Sequence, residues 1–229
     1  MQEQDRERLI QSRRARIAEF GSTEAGVDWS HKHPGRQLLH FEILRRIEGF
    51  EPTDGIFDVG CGFGDLAEYL RRSGWTGRYA GMDLSPDTVQ AARAKHPDLD
   101  IRLGALLDQS MAERFDWVFC SGTLNYRLEG MDNYVYLERM LRTMFEMSVK
   151  GVALNLLSPL VDFELDISFH PRFDRLLAMV AGLTHRFTLR HDFAPYEFAL
   201  YLYRDDRIER DGNVFASAHP LLERLRGLL

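Results

Sequence analysis

Apolar and polar positions follow two different periods along this chain. Residues 2–20 place Leu9, Ile10, Ile17 and Phe20 at helical spacing, and Gly21 ends the pattern. Residues 36–50 repeat it with Leu39, Ile43, Leu44 and Ile47, until Pro52 and Gly55 break the period. From there short apolar runs trade places with amphipathic ones. Strands are predicted at 56–59, 79–84, 101–103, 117–120 and 151–157, with helices at 65–73, 86–96, 131–149 and 171–183. The helix at 86–96 opens on Pro86, a residue suited to a first turn. The run 151–157 is apolar except for Asn155, which predicts a central strand. Two last strands, 186–190 and 197–203, are joined by a turn containing Pro195. That turn is too short for a crossover helix, so the pair should be antiparallel.

Strand and helix in strict alternation predict an α/β fold, a parallel sheet with helices on both faces. No internal repeat or low-complexity linker divides the chain. The expected organisation is an N-terminal helical arm and covering segment over residues 1–50, a core over 51–210, and a helical tail over 211–229.

Composition narrows the partners. A net charge of −6 argues against nucleic acid, whose phosphates call for a basic face. Arg13, Arg14 and Arg16 cluster on the first helix, but Glu3, Asp5, Glu7 and Glu19 offset them, which reads as a solvated face rather than an RNA-binding arm. Cys61 and Cys120 sit in or beside apolar runs and read as reduced packing residues. The first twenty residues lack an apolar signal core, and no apolar run approaches the roughly 18 residues a membrane span needs. A cytoplasmic protein with no membrane partner is expected.

The chemistry gathers at 55–74, GIFDVGCGFGDLAEYLRRSG, where a strand runs into glycines and then a helix. Asp58, Gly60, Gly62 and Gly64 lie at the carboxyl end of that strand, where open α/β sheets bind ligands. A dinucleotide loop wants G-x-G-x-x-G with the pyrophosphate on the helix N-terminus. Here the spacing is G-x-G-x-G, and Asp58 would repel a pyrophosphate. A carboxylate there suits a cationic ligand; S-adenosylmethionine, with a sulfonium, an ammonium and no phosphate, meets that description. Asp83 ends the second strand about 20 residues on, placed to accept from ribose hydroxyls, with Met82 and Leu84 placed to sandwich an adenine.

With these segments the chain resembles the class I S-adenosylmethionine-dependent methyltransferases. The resemblance runs from Ile56 to about Tyr203 through D-V-G-C-G-F-G, G-M-D-L-S-P, F-D-W-V-F-C and the terminal strand pair. It implies a Rossmann-like, seven-stranded, mostly parallel sheet whose last strand is antiparallel, and S-adenosylmethionine as the cofactor. The loop after the third strand, which in the family often reads the adenine amine, implies roles for Ala105 and Leu106. Ala105 departs from the usual polar residue there, so a backbone carbonyl or Asp108 should take its place. Ser121, after the fourth strand, is a further cofactor contact. G-V-D-W-S and H-D-F-x-P-Y-E-F resemble a subgroup to which no substrate attaches; Trp29, with His31 and His33, is expected to fold over the cofactor.

The methyl acceptor should lie above strands four and five. Asn125 and Tyr126 either orient it or simply form a capped loop. The connection 158–171 is long, acidic and aromatic, which suggests a lid, with Phe169 as a substrate contact. His170 is a candidate general base or a cap before Pro171, and His191 is a second candidate beside a turn-forming Asp192. No D/N-P-P-Y/F segment of the nucleic-acid methylating members follows strand four, and no cluster of acids suggests a metal. Methyl transfer to an O or N atom of a small soluble metabolite is the favoured reading. Methylation of a protein or RNA through the N-terminal arginines, or a non-catalytic binding subunit, stands as the alternative.

Overall fold

The computed structural model describes residues 1–29, 35–109 and 112–205. The expected tail over 211–229 and the histidines His31 and His33 lie outside them. Seven strands, β1 (Ile56–Val59), β2 (Tyr79–Asp83), β3 (Asp100–Leu103), β4 (Phe115–Ser121), β5 (Ser148–Leu157), β6 (Phe187–Arg190) and β7 (Glu197–Tyr203), form one sheet in the order β3-β2-β1-β4-β5-β7-β6. Pairing is parallel from β3 to β5, and β7 runs antiparallel to both its neighbours. The Rossmann-like sheet read from the sequence is therefore present, with its last strand reversed.

The period of two sorts the strands' side chains into two cores. Phe57, Val59, Val118, Leu154, Leu200 and Leu202 face the layer containing α5 (Asn133–Met147) and α6 (Phe173–Ala181). Ile56, Trp117, Phe119, Ala153, Ala199 and Tyr201 face α2 (Arg36–Arg45), α3 (Asp65–Arg72) and α4 (Pro86–Lys95). On that second face small residues, Ala153 and Ala199, leave room for α2 to lie close to β5 and β7. Asn155 shares this face with Ala153, two residues along, which brings the polar exception in β5 under α2.

Several boundaries differ from expectation. Helix α2 stops at Arg45, where the chain turns through Ile47 to Gly49, at φ +84. Strand β4 begins at Phe115, two residues early, because a bulge between Phe115 and Trp117 lets Phe115 pair with Ser148. Helix α6 begins only at Phe173, with Arg172 as its N-cap, so Pro171 stands outside it.

Helix α1 (Glu3–Phe20) lies across the carboxyl ends of the strands and is tied down along its length. Buried Asp5 accepts the N–H groups of Glu129 and Gly130 at 2.8 and 3.0 Å. Arg6 pairs with Asp108 and Arg14 with Asp87 on α4. Among the described residues no helix is long and apolar enough to cross a membrane.

Candidate functional site

The turn after β1 is shaped by contacts that only glycine permits. Gly60 has φ +73, and a Cβ there would lie 1.9 Å from Thr123 Oγ1. Thr123 is fixed in turn, its hydroxyl donating to the Val59 carbonyl at 3.0 Å. The Gly60 and Cys61 N–H groups both donate to the Met82 carbonyl, carrying the β1–β2 register into the turn. Gly62 then donates its N–H to Asp83 Oδ2 at 3.1 Å, while Ser85 donates to Oδ1 at 3.0 Å. Each Asp83 oxygen thus takes one backbone N–H and keeps lone pairs for hydroxyl donors. Burial pushes the Asp83 pKa up, against the lowering effect of these N–H groups and of Arg13.

Asp58 is 3 % exposed and receives one side-chain hydrogen bond, from the Tyr79 hydroxyl at 2.8 Å. No ion pair reaches it among the described residues. Desolvation, with the negative charges of Asp83 and Asp65, outweighs the Tyr79 hydrogen bond and pushes its pKa up to about 7. Such a carboxylate is costly to ionise until a cation arrives.

Both acids border a cavity of about 390 Å³ at the carboxyl end of the sheet. Gly60, Gly62, Met82, Leu84, Ala105 and Leu106 line the same end, and Ser121 stands between it and the opposite end. Trp29, Arg36, Gln37, Asn125, Tyr126 and Glu197 line that opposite end, and Leu9, Ile10 and Arg13 of α1 roof the whole. The donor set fits S-adenosylmethionine: an unpaired buried carboxylate for the cationic part, a second acid for a diol, and an apolar slot of Met82, Leu84 and Leu106 for a flat base.

Some expected site residues lie elsewhere. Gly64, at φ +80, is the N-cap of α3, and a Cβ there would press on His96 and Leu99 rather than on the cavity. Asp108 is held by Arg6 and does not line the cavity, which removes it as an adenine reader. Both ring nitrogens of His170 are engaged: Nδ1 lies 2.7 Å from the Ser158 carbonyl and Nε2 lies 2.9 Å from the Ser168 hydroxyl. His191 Nε2 lies 2.7 Å from Ser158 Oγ. The two histidines converge on Ser158 and fasten the loop leaving β5; neither lines the cavity. Phe169 packs edge-on against Tyr134 at 5.1 Å within the core. The connection 158–171 contributes nothing to the lining, so it is not a lid over this cavity. Helix α1 takes that place.

Asn125 and Tyr126 do face the cavity. Asn125 Oδ1 accepts the Leu157 N–H at 3.2 Å. Tyr126 donates its hydroxyl to Asp28, which Arg13 and Arg16 pair at 2.9 and 2.7 Å. Burial raises the Tyr126 pKa. The arginine cluster of the first helix is therefore spent on closing the arm. The two thiols are buried, and desolvation pushes Cys120 up to about 12 and Cys61 well above its ordinary value, as packing residues should behave.

A polar network beneath the far end escaped the sequence reading. His40, fully buried, stacks on Trp29 with ring centroids 4.6 Å apart. Its Nδ1 lies 2.7 Å from Asn155 Nδ2, and Asn155 Oδ1 accepts the Gly122 N–H at 2.8 Å. That bond assigns the Asn155 amide, so His40 Nδ1 is the acceptor and its proton sits on Nε2, 2.6 Å from Glu197 Oε2. Arg36 pairs with Glu197 Oε1 at 2.6 Å. His40 and Arg36 together overcome desolvation and hold the Glu197 carboxyl below its usual range. The signals were Asn155, the polar exception in β5, and a histidine set into the apolar stripe of α2.

Comparison with known proteins fits this geometry. A family described as a methyltransferase domain matches residues 56–146. Rv1506c of Mycobacterium tuberculosis, which bears a provisional methyltransferase name, is 28% identical over 170 residues, covering 69% of this chain and 96% of its own. The ubiquinone biosynthesis O-methyltransferase of Paracidovorax citrulli is 34% identical over 124 residues, with 49% of this chain and 50% of that protein covered. Among solved structures, magnesium protoporphyrin IX methyltransferase from Synechocystis PCC 6803 with bound S-adenosylmethionine superposes with a TM-score of 0.61 at 15% identity, covering 88% and 97% of the two chains.

Proposed function

We propose that the chain is a class I S-adenosylmethionine-dependent methyltransferase, in keeping with the methyltransferase-domain match over residues 56–146, and that it methylates an O or N atom of a small molecule held at the Trp29, Asn125 and Tyr126 end of its cavity. The observation that carries this reading is Asp58, a buried carboxylate with no ion-pair partner among the described residues, at the mouth of the glycine turn. Bound there, S-adenosylmethionine supplies a methyl group already activated by its sulfonium.

The chain's own residues have the simpler work of holding and orienting. Asp58 would balance the cationic part, Asp83 would take the ribose hydroxyls, and Met82, Leu84 and Leu106 would enclose the adenine, with Ala105 offering only its backbone. Ser121 lines the cavity between the two ends, and Trp29 lines the acceptor end. Oriented proximity of this kind is worth about 7–11 kcal/mol. Helix α1 above the cavity would exclude water from the reacting atoms.

A small acceptor is favoured by the engagement of Arg13, Arg14 and Arg16 in ion pairs within the chain. The relatives' names concern small molecules too, a quinone pathway and a porphyrin. Calorimetry with S-adenosylhomocysteine tests the site: Asp83→Ala should weaken binding by about 1.5–3 kcal/mol, the scale of lost charge-assisted hydrogen bonds. An unchanged affinity would take Asp83 out of the site.

A further inference from the structure

We propose that Asp65, Glu68 and His96 bind one divalent transition-metal ion of zinc-like preference, as a structural clasp between α3 and α4. The site lies apart from the cavity and does not depend on the methyl-transfer reading.

Asp65 is the first residue of α3 and Glu68 stands one turn further on, so the two carboxylates share a face of the helix. His96, the C-cap of α4, joins them from the end of that helix. One ligand atom of each residue lies within 4.8 Å of the other two, and no other trio of His, Cys, Asp or Glu among the described residues forms such a group. The histidine is the part that asks for a ligand. Its Nε2 is buried without a hydrogen-bond partner, and Glu68 Oε2, 3.9 Å away, is beyond hydrogen-bond reach. A buried ring nitrogen left in this way costs stability unless something completes it.

Two surface cations border the set, and neither completes it. Lys95 pairs with Asp65 Oδ1 and Arg72 with Glu68 Oε1. Each acid keeps a second oxygen, and pairs that reach into solvent are weak enough to yield to a stronger partner. A zinc ion held at about 2.0–2.2 Å by nitrogen and oxygen sets its donors about 3.3 Å apart. From 3.9 Å, Nε2 and Oε2 need close by only about half an ångström to meet that spacing. Two carboxylates and a neutral imidazole balance a dication and leave one position for water, an arrangement that zinc accepts. The imidazole disfavours magnesium and calcium, whose ligands are oxygen.

The clasp would stand at the end of the glycine turn. A Cβ on Gly64, the N-cap of α3, would lie 3.2 Å from His96 Cδ2, so the ring already abuts the turn. Gly60, Cys61 and Gly62 of the same turn line the cavity. An ion shared by the two helices would hold the start of α3 to the end of α4 and fix the backbone between them.

The test titrates the full chain, free of any affinity tag, with zinc chloride by calorimetry. One zinc per chain should bind, and magnesium should bind far more weakly. Asp65→Asn, Glu68→Gln and His96→Gln should each weaken zinc binding at least about tenfold, since even a supporting partner of a metal site is worth that much. All three should bind S-adenosylhomocysteine as the unaltered chain does, which shows that they fold. At zinc about a hundredfold above its dissociation constant, the unfolding midpoint should rise by about 5–10 °C, and not in His96→Gln. Cobalt(II) in the unaltered chain should show the strong visible bands of a four-coordinate ion, a readout that needs no variant to fold. Absence of saturable zinc binding, magnesium binding as tight as zinc, the pale spectrum of six-coordinate cobalt, or an unmoved midpoint would overturn the proposal. So would an affinity unchanged in any of the three variants.

Discussion

Asp58 stands one residue before the end of β1, 3 % exposed and with its pKa pushed up to about 7. The sign of that shift makes a prediction at the scale of one residue. Below about pH 7 the empty site holds Asp58 protonated, and the ammonium of a bound ligand must displace that proton to gain its counter-ion. Affinity for S-adenosylhomocysteine should therefore rise with pH between about 5.5 and 7 and flatten above, with a proton released on binding. Titrations in buffers of different ionisation heat measure that proton directly. Asp58→Asn keeps the hydrogen bond from Tyr79 within reach but removes the charge, so the pH slope should vanish. A slope that survives in Asp58→Asn would assign it to another group.

At the scale of the element, the arm is the part that moves the account beyond its core. Helix α1 roofs the cavity and is latched by Asp28, which holds Arg13, Arg16 and the Tyr126 hydroxyl at once. Asp28 adopts the left-handed conformation, φ 71, which asparagine also tolerates. Asp28→Asn should thus leave the backbone in place while loosening the latch. Release of S-adenosylhomocysteine, followed by stopped flow, should quicken about fivefold, the value of roughly 1 kcal/mol from partly exposed ion pairs. High salt should quicken it in the unaltered chain as well and add little to the variant. Identical release rates would mean that α1 does not gate the cavity. The same elements show what was legible in the sequence. Strand β1, its glycines and Asp83 could be read because their chemistry is written within some 25 consecutive residues. The connection 158–171 suggested a lid by its length and composition, yet its backbone pairs with the segment after β4 through Tyr126 and Ser168, and His170 and His191 pin its start. Those contacts are long-range, and a histidine bound at both nitrogens looks the same in sequence as a catalytic one.

For the molecule as a whole, strand order decides which distant residues meet. Placing β7 between β5 and β6 sets Glu197 beside Leu157 and beneath α2, so Arg36, His40, Asn155 and Glu197 join across 115 to 161 positions of sequence. The alternation of strands and helices announced a parallel sheet with a reversed last strand, and the family resemblance supplied its seven strands. Which face of β5 carried Asn155, and which histidine it would meet, depended on that order and on the bulge in β4, neither of which local periodicity records. The result is a cavity with two characters, acidic where Asp58 and Asp83 stand and braced by Arg36 and Glu197 at the far end, closed by a helix whose arginines are already paired.

The central claim, transfer of a methyl group to a small molecule, is tested most directly by incubating the full chain with methyl-labelled S-adenosylmethionine and a cell extract, then separating metabolites, protein and nucleic acid. The account predicts label in the metabolite fraction, dependent on Asp58 and Asp83. Label confined to protein or nucleic acid, or none above the Asp83→Ala background, would contradict it.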